Sequence, residues 1–148
     1  MKVIGIAFSD LHLGEYSKFN EDNKRTLNHI RVLYLIKDLC IKYKCPAFFC
    51  GDFMHRPEFI STSLDEIIIE QFEELNRCEE FNIYGISGNH DLQKSNTIER
   101  RSSSHWANLC RRYSFLHNID FSYHDFGKFR VVGIPYIDHN KGLDSLIK

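Results

Sequence analysis

Three short apolar runs in this chain each break off into a cluster of glycine, aspartate, histidine or asparagine, and amphipathic stretches lie between them. The runs are Val3–Phe8 (VIGIAF), Pro46–Cys50 (PAFFC) and Asn82–Ile86 (NIYGI). Rich in strand formers and without polar alternation, they predict strands buried on both faces. Pro46 opens its run, where no ladder hydrogen bond is lost. From Asp22 to about Tyr43, the residues Leu27, Ile30, Leu33, Tyr34, Ile36, Cys40 and Ile41 recur at helical spacing, which predicts a long amphipathic helix. Ser63-Leu-Asp-Glu66 has the form of a capping box, opening a helix with Leu64, Ile67, Ile68, Phe72, Leu75 and Cys78 on one face and acidic residues on the other. Strand, helix, strand, helix, strand in this order predicts a right-handed parallel α/β sheet.

Beyond the third run, Ile98, Trp106, Leu109, Cys110 and Tyr113 predict a helix over Asn96 to Tyr113, and Phe121–Asp125 with Lys128–Ile134 predict a β-hairpin turning at Phe126-Gly127. With 148 residues the chain suits one domain. A formal charge of −1 excludes nucleic-acid binding through bulk basicity, so any polyanion site must be local. The strongest basic concentration is Arg100, Arg101, Arg111 and Arg112, interleaved with Trp106 and Tyr113; it reads as a solvated helix face or as a phosphate-contacting patch. No apolar run reaches the roughly 20 residues that span a bilayer, and the N-terminus leads into a strand without a signal-peptide pattern; the expectation is an intracellular, cytoplasmic protein without a membrane partner. Cys40, Cys45, Cys50, Cys78 and Cys110 form no C-x-x-C pair, which predicts buried or inert thiols rather than a disulfide framework.

In parallel sheets ligands bind beyond the carboxyl ends of the strands. There stand Ser9-Asp10-Leu11-His12-Leu13-Gly14, Gly51-Asp52-Phe53-Met54-His55 and Ser87-Gly88-Asn89-His90-Asp91. Carboxylate, imidazole and amide oxygen are donors for a divalent ion, and the glycines before Asp52 and Asn89 let the backbone turn sharply. One D-x-H at a strand end is ordinary turn or cap chemistry. Three such clusters at successive strand ends point to a metal site.

In this order D-x-H, G-D and G-N-H-D resemble the first three motifs of the calcineurin-like metallophosphoesterase superfamily. Within it, Gly51-Asp52-Phe53-Met54-His55 and Ile134-Pro135-Tyr136 resemble the DNA double-strand-break repair nucleases of the SbcD and meiotic-recombination-eleven type. The resemblance implies a metallophosphoesterase-like sheet with flanking helices, the N-terminal half of a four-layer α/β/β/α sandwich, over residues 1–148. It also implies two divalent metal ions, manganese foremost, with magnesium, iron(II) or zinc as alternatives. Asp10, His12 and Asp52 would serve one ion and Asp52 with Asn89 the other, Asp52 bridging. His90 would face the phosphate as general acid or transition-state stabiliser, with Asp91 orienting its imidazole, and His55 would be a second substrate-facing histidine.

The family's late G-H and G-H-x-H motifs do not occur before residue 148. His29, His105, His117, His124 and His139 match neither motif and read as surface or core imidazoles. The first metal position is therefore expected to be weak and the second nearly empty, unless a complementary chain or self-association supplies the remaining imidazoles. The implied function is DNA hydrolysis beside a coiled-coil ATPase subunit, with the helices Ser63–Glu80 and Asn96–Tyr113 building a dimer. The rival readings are a small-substrate phosphodiesterase or phosphatase and a catalytically inactive binding or assembly fragment.

Overall fold

Four parallel strands form the centre of the protein: β1 (Ile6–Phe8), β2 (Ala47–Phe49), β3 (Ile83–Gly85) and β4 (Leu116–Asn118), hydrogen-bonded in that spatial order. Ile6 pairs with Ala47, Ala47 with Ile83 and Ile83 with Leu116, so the strands run in step across the sheet. The computed structural model describes residues 2–14, 16, 24–55, 61–92 and 104–137. Helices α1 (Lys24–Tyr43), α2 (Thr62–Asn76) and α3 (His105–Arg112) make the crossovers. With strands in chain order and right-handed crossovers, all three helices lie on one face.

Side-chain burial follows the two-residue period of the strands. Ala47, Phe49, Ile83 and Leu116 are buried beneath the helices, sharing a core with Ile30, Leu33, Ile36 and Cys40 of α1, Leu64, Ile68, Phe72 and Leu75 of α2, and Trp106 of α3. Aromatic rings meet at its centre, with Phe49 at 4.9 Å from Trp106 and 5.1 Å from Phe53, and Phe53 at 5.7 Å from Phe72. The opposite sheet face carries Phe48, Tyr84 and His117, half-buried. An antiparallel hairpin of β5 (Tyr123–Asp125) and β6 (Arg130–Val132) covers part of it. Phe126 packs 5.7 Å from Phe48 and 4.9 Å from Tyr84, and Tyr84 stacks 4.4 Å from His117. Val132 and Ile134 remain exposed.

The expected order of elements is present, with corrections. The N-cap of α2 is Ser61, whose hydroxyl accepts from the Leu64 amide; Ser63 lies inside the first turn, so the expected capping box at Ser63–Glu66 does not form. Helix α3 is capped by Ser104; the earlier part of the predicted helix, Asn96 included, lies outside the described residues, as does Asp22. Strand β4 was not foreseen, because only Phe115 and Leu116 make its apolar run and its pairing with β3 is what makes it a strand. Trp106 and Tyr113 are buried in the core rather than interleaved with surface arginines, and Arg112 rests 5.3 Å from the Tyr113 ring. Cys40 and Cys45 are buried and Cys50 is exposed, its thiol pKa raised by partial desolvation; all five cysteines are free thiols, as expected. Among the described residues no helix is long and apolar enough to cross a membrane.

Helix α3 approaches the sheet closely at Gly85. A Cβ there would stand 2.6 Å from Cζ2 of Trp106 and 2.9 Å from Cβ of Phe49. Overpacking between two buried aromatic groups is costly, so Gly85→Ala is expected to destabilise the fold by about 1–3 kcal/mol, measurable as a lower urea midpoint with unchanged slope.

Candidate metal centre

The segments after β1 and β2 leave the sheet together and stay paired. Asp10 N–H donates to the Gly51 carbonyl at 3.1 Å, His12 to Asp52 at 2.9 Å and Leu13 to Phe53 at 2.8 Å, and His55 N–H returns to Leu13 at 2.8 Å. This extended ladder puts Asp10, His12 and Asp52 side by side, yet none keeps strand geometry. Their φ values are 55°, 45° and 64°, in the left-handed region. A non-glycine residue there carries strain on the order of 1–3 kcal/mol and persists where surrounding contacts over-determine it. Here the strain turns successive side chains to the same side of the sheet end.

Those contacts are identifiable. The Asp91 side chain, fully buried, accepts four backbone N–H bonds: Asp52 at 2.9 Å, Phe53 at 2.9 Å, Met54 at 3.2 Å and Gly88 at 2.9 Å. Burial pushes the Asp91 carboxyl above the usual carboxylate range, and the four donors pull against that shift. Asp91 therefore holds the Asp52 loop to the Asn89 loop. It does not orient the His90 imidazole as expected, because that ring bonds elsewhere. Loop three, which follows β3 as loop one follows β1, is tied in turn to the segment after β4: Asp120 accepts the Ser87 amide at 2.8 Å and the Ser87 hydroxyl at 2.6 Å, and that hydroxyl also bonds Ser104 at 2.8 Å. Loop one is anchored by the buried Thr26 of α1, whose hydroxyl donates to Gly14 at 2.9 Å. Asp120 and Thr26 escaped sequence reasoning because their partners are remote in the chain and no local pattern marks them.

The two glycines act differently from one another. Gly51 has φ +104° and makes the sharp turn expected of it. Gly88 lacks positive φ; it is required because a Cβ would stand 2.2 Å from Oδ1 and 2.3 Å from the amide nitrogen of Asp52.

All six candidate residues come together. Nε2 of His12 lies 3.6 Å from Oδ1 of Asp10 and 4.0 Å from Oδ2 of Asp52. With its amide nitrogen turned to Asp52, Asn89 donates to both carboxylate oxygens at 3.2 and 3.1 Å. The His90 amide donates to Oδ1 of Asp52 at 2.9 Å, while Nδ1 of its ring bonds the His55 carbonyl at 3.0 Å. The His90 ring stands edge-on to His12 at 4.8 Å and parallel to His55 at 5.8 Å. Donor atoms of Asp10, His12 and Asp52 lie within 4.8 Å of one another, as do those of His12, His55 and His90.

The remaining cationic candidates are elsewhere. Arg111 and Arg112 are exposed at the end of α3, and Arg100 and Arg101 lie outside the described residues. His117 and His124 pack with Tyr84 under the hairpin, and burial lowers the His117 pKa. His105 opens α3, buried enough for its pKa to fall, and His139 lies outside the described residues. His29 lies edge-on to Tyr16 at 5.8 Å, and burial lowers its pKa.

The strand-end cluster gathers donors that could hold a divalent ion, and a profile of the calcineurin-like phosphoesterase family matches residues 6–146. The chain belongs to that family. No curated protein matches it. Membership brings divalent-metal-dependent phosphoester hydrolysis as the class of chemistry, and the residues present fit such an ion. Donors held by one small cation at about 2.0–2.2 Å lie no more than about 4.4 Å apart. The 3.6 and 4.0 Å separations around His12 fall within that limit and are too long for direct hydrogen bonds.

Asp91→Asn should test the scaffold beneath this centre. The amide presents N–H to a site built from N–H donors, leaving buried donors unsatisfied. The expected cost is about 2–4 kcal/mol in urea unfolding, together with amide shifts at Asp52, Phe53, Met54 and Gly88.

Proposed function

We propose that this chain hydrolyses the phosphodiester backbone of DNA with divalent ions, manganese foremost, in the manner of the SbcD and meiotic-recombination-eleven type nucleases, alongside a coiled-coil ATPase partner and with a complementary chain or self-association supplying the missing imidazole ligands. The observation that carries this reading is the position of His55. The G-D-F-M-H run brings its imidazole to 5.7 Å from His12 and parallel to His90, so a second imidazole joins the first at the metal centre. The Ile134-Pro135-Tyr136 segment adds support: the Tyr136 amide bonds the Ser87 carbonyl at 3.0 Å, beside loop three.

In this reading Asp10, His12 and Asp52 hold one ion, and Asp52 with Asn89 reaches a second. When bound, such ions supply positive charge for the phosphate and lower the pKa of water toward neutrality. Asp52 is suited to bridging, since its carboxylate touches both the His12 and Asn89 sides of the cluster. His90 acts on the ester. A carbonyl only accepts, so the bond to His55 places a proton on Nδ1 of His90 and leaves Nε2 as the atom that takes up a second proton, which the resulting imidazolium gives to the departing oxygen before returning to the neutral ring. The His90 amide bond to Asp52 fixes that ring relative to the bridging carboxylate.

Manganese titration followed by calorimetry, with cleavage assays on linear DNA and on a chromogenic phosphodiester, tests the assignment. Chelation with EDTA is expected to abolish hydrolysis, and Asp52→Ala to abolish manganese binding. His90→Asn should retain manganese and lose roughly 10²–10⁴-fold in kcat, the range of a general acid. Cleavage of the chromogenic diester with intact DNA would select a small-substrate phosphodiesterase. Manganese binding without hydrolysis of either, even with the remaining imidazoles supplied by self-association or a complementary chain, would select a non-catalytic binding module.

A further inference from the structure

Tyr16 lies outside every motif, yet it touches both halves of the metal centre. Its hydroxyl donates to the backbone carbonyl of His12. Its ring stacks on that of His55, with centroids 5.1 Å apart and planes 24° apart. The opposite contact is made by Arg25 of α1, whose guanidinium carbon sits 3.6 Å from the Tyr16 centroid, and His29 of the same helix meets the ring edge-on at 5.8 Å. Arg25, Tyr16, His55 and His90 thus form a continuous column of ring and guanidinium contacts, ending at the imidazole assigned above to the ester.

The His12 side chain makes this contact consequential. A metal-binding histidine is ordinarily oriented by a hydrogen bond from its second ring nitrogen to an acceptor. Among the described residues, Nδ1 of His12 is buried without such a partner. The orientation of that ring therefore depends on its backbone, held at φ 45°, and on edge contacts with His55 and His90. Tyr16 acts on both. It holds the His12 carbonyl directly, and by stacking on His55 it fixes one of the two rings that bracket His12. The His55 backbone is secured by its amide bond to Leu13 and its carbonyl bond from His90, and its ring lies between those of Tyr16, His12 and His90.

We propose that Tyr16 is a positioning residue that couples the ligand His12 to the substrate-facing His55, through its hydroxyl on one side and its ring on the other. This rests on the functional reading in taking His12 as a metal ligand and His55 as facing the substrate. The two contacts separate chemically. Tyr16→Phe removes the hydroxyl and keeps the stack, whereas Tyr16→Leu removes both.

The test combines imidazole and backbone ¹H–¹⁵N spectra of the metal-free protein with manganese calorimetry. Tyr16→Phe is expected to shift the Leu13 amide, which follows the His12 carbonyl, to leave the His55 ring resonances in place, and to weaken manganese about tenfold, the lower end for loss of a ligand's supporting partner. Tyr16→Leu should move the His55 and His90 ring resonances as well and weaken manganese further. In both variants the His124 ring, packed against Tyr84 under the hairpin, should stay unshifted, a pattern that general loosening of the fold does not produce. The proposal is overturned if Tyr16→Phe leaves the Leu13 amide unmoved, if Tyr16→Leu leaves the His55 ring unmoved, or if either variant shifts His124 equally. Should the wild-type chain bind no manganese, the ligand assignment of His12 falls, while the metal-free spectra still decide the coupling.

Discussion

The buried carboxylate of Asp91, accepting four backbone N–H groups, is the interaction on which the arrangement of the centre rests. A carboxylate offers about four lone-pair sites and no donor, so it can satisfy four converging amides that neither a neutral amide nor water would match as fully. Three of those amides belong to the loop after β2 and one to the loop after β3. Two strand ends are thereby joined through a single side chain. The close approach of Gly51 to Gly88, where a Cβ on Gly51 would stand 2.8 Å from the Gly88 Cα, is the steric counterpart of the same junction.

From that junction order spreads outward by backbone pairing. The Asp52 loop is the template for the Asp10–Leu13 segment, which hydrogen-bonds to it residue by residue, and α1 closes the outer side through Thr26 and Gly14. Left-handed backbone at Asp10, His12 and Asp52 is intrinsically unfavourable, and it is tolerated where such bonds leave no alternative. The aromatic core beneath the helices contributes differently. Phe49, Phe53, Phe72 and Trp106 bury large apolar area immediately below the strand ends, providing the hydrophobic stabilisation against which local strain can be held.

The chemistry of the centre reflects this division between rigid support and reactive edge. Asp52 is largely buried, with 15% of its side chain exposed, and is contacted from several directions; Asp10 is 66% exposed at the rim. Asp52 is the better held of the two carboxylates. The half-buried imidazoles of His12, His55 and His90 pack against one another, which fixes their mutual orientation.

Much of this was legible before any coordinates. Strands buried on both faces read as unbroken apolar runs, so β1, β2 and β3 announced themselves, and the polar residues that end them named Asp10, His12, Asp52 and Asn89 as candidate ligands and His90 and His55 as substrate-facing imidazoles. Strand β4 did not, because Phe115-Leu116-His117-Asn118 has too short an apolar run to signal a strand without β3 beside it. Asp91 stood in plain view within a motif, yet its partners lie in another loop, and adjacency in sequence pointed instead to His90. Tyr16, Thr26 and Asp120 had no signal at all, their roles being defined by contacts remote in the chain. By itself the sequence determined which atoms are available for chemistry and at which strand ends they stand. Only the tertiary structure decided how those atoms face one another, because side-chain direction at Asp10, His12 and Asp52 is set by left-handed backbone that long-range hydrogen bonds impose, and no local preference of the residues selects it.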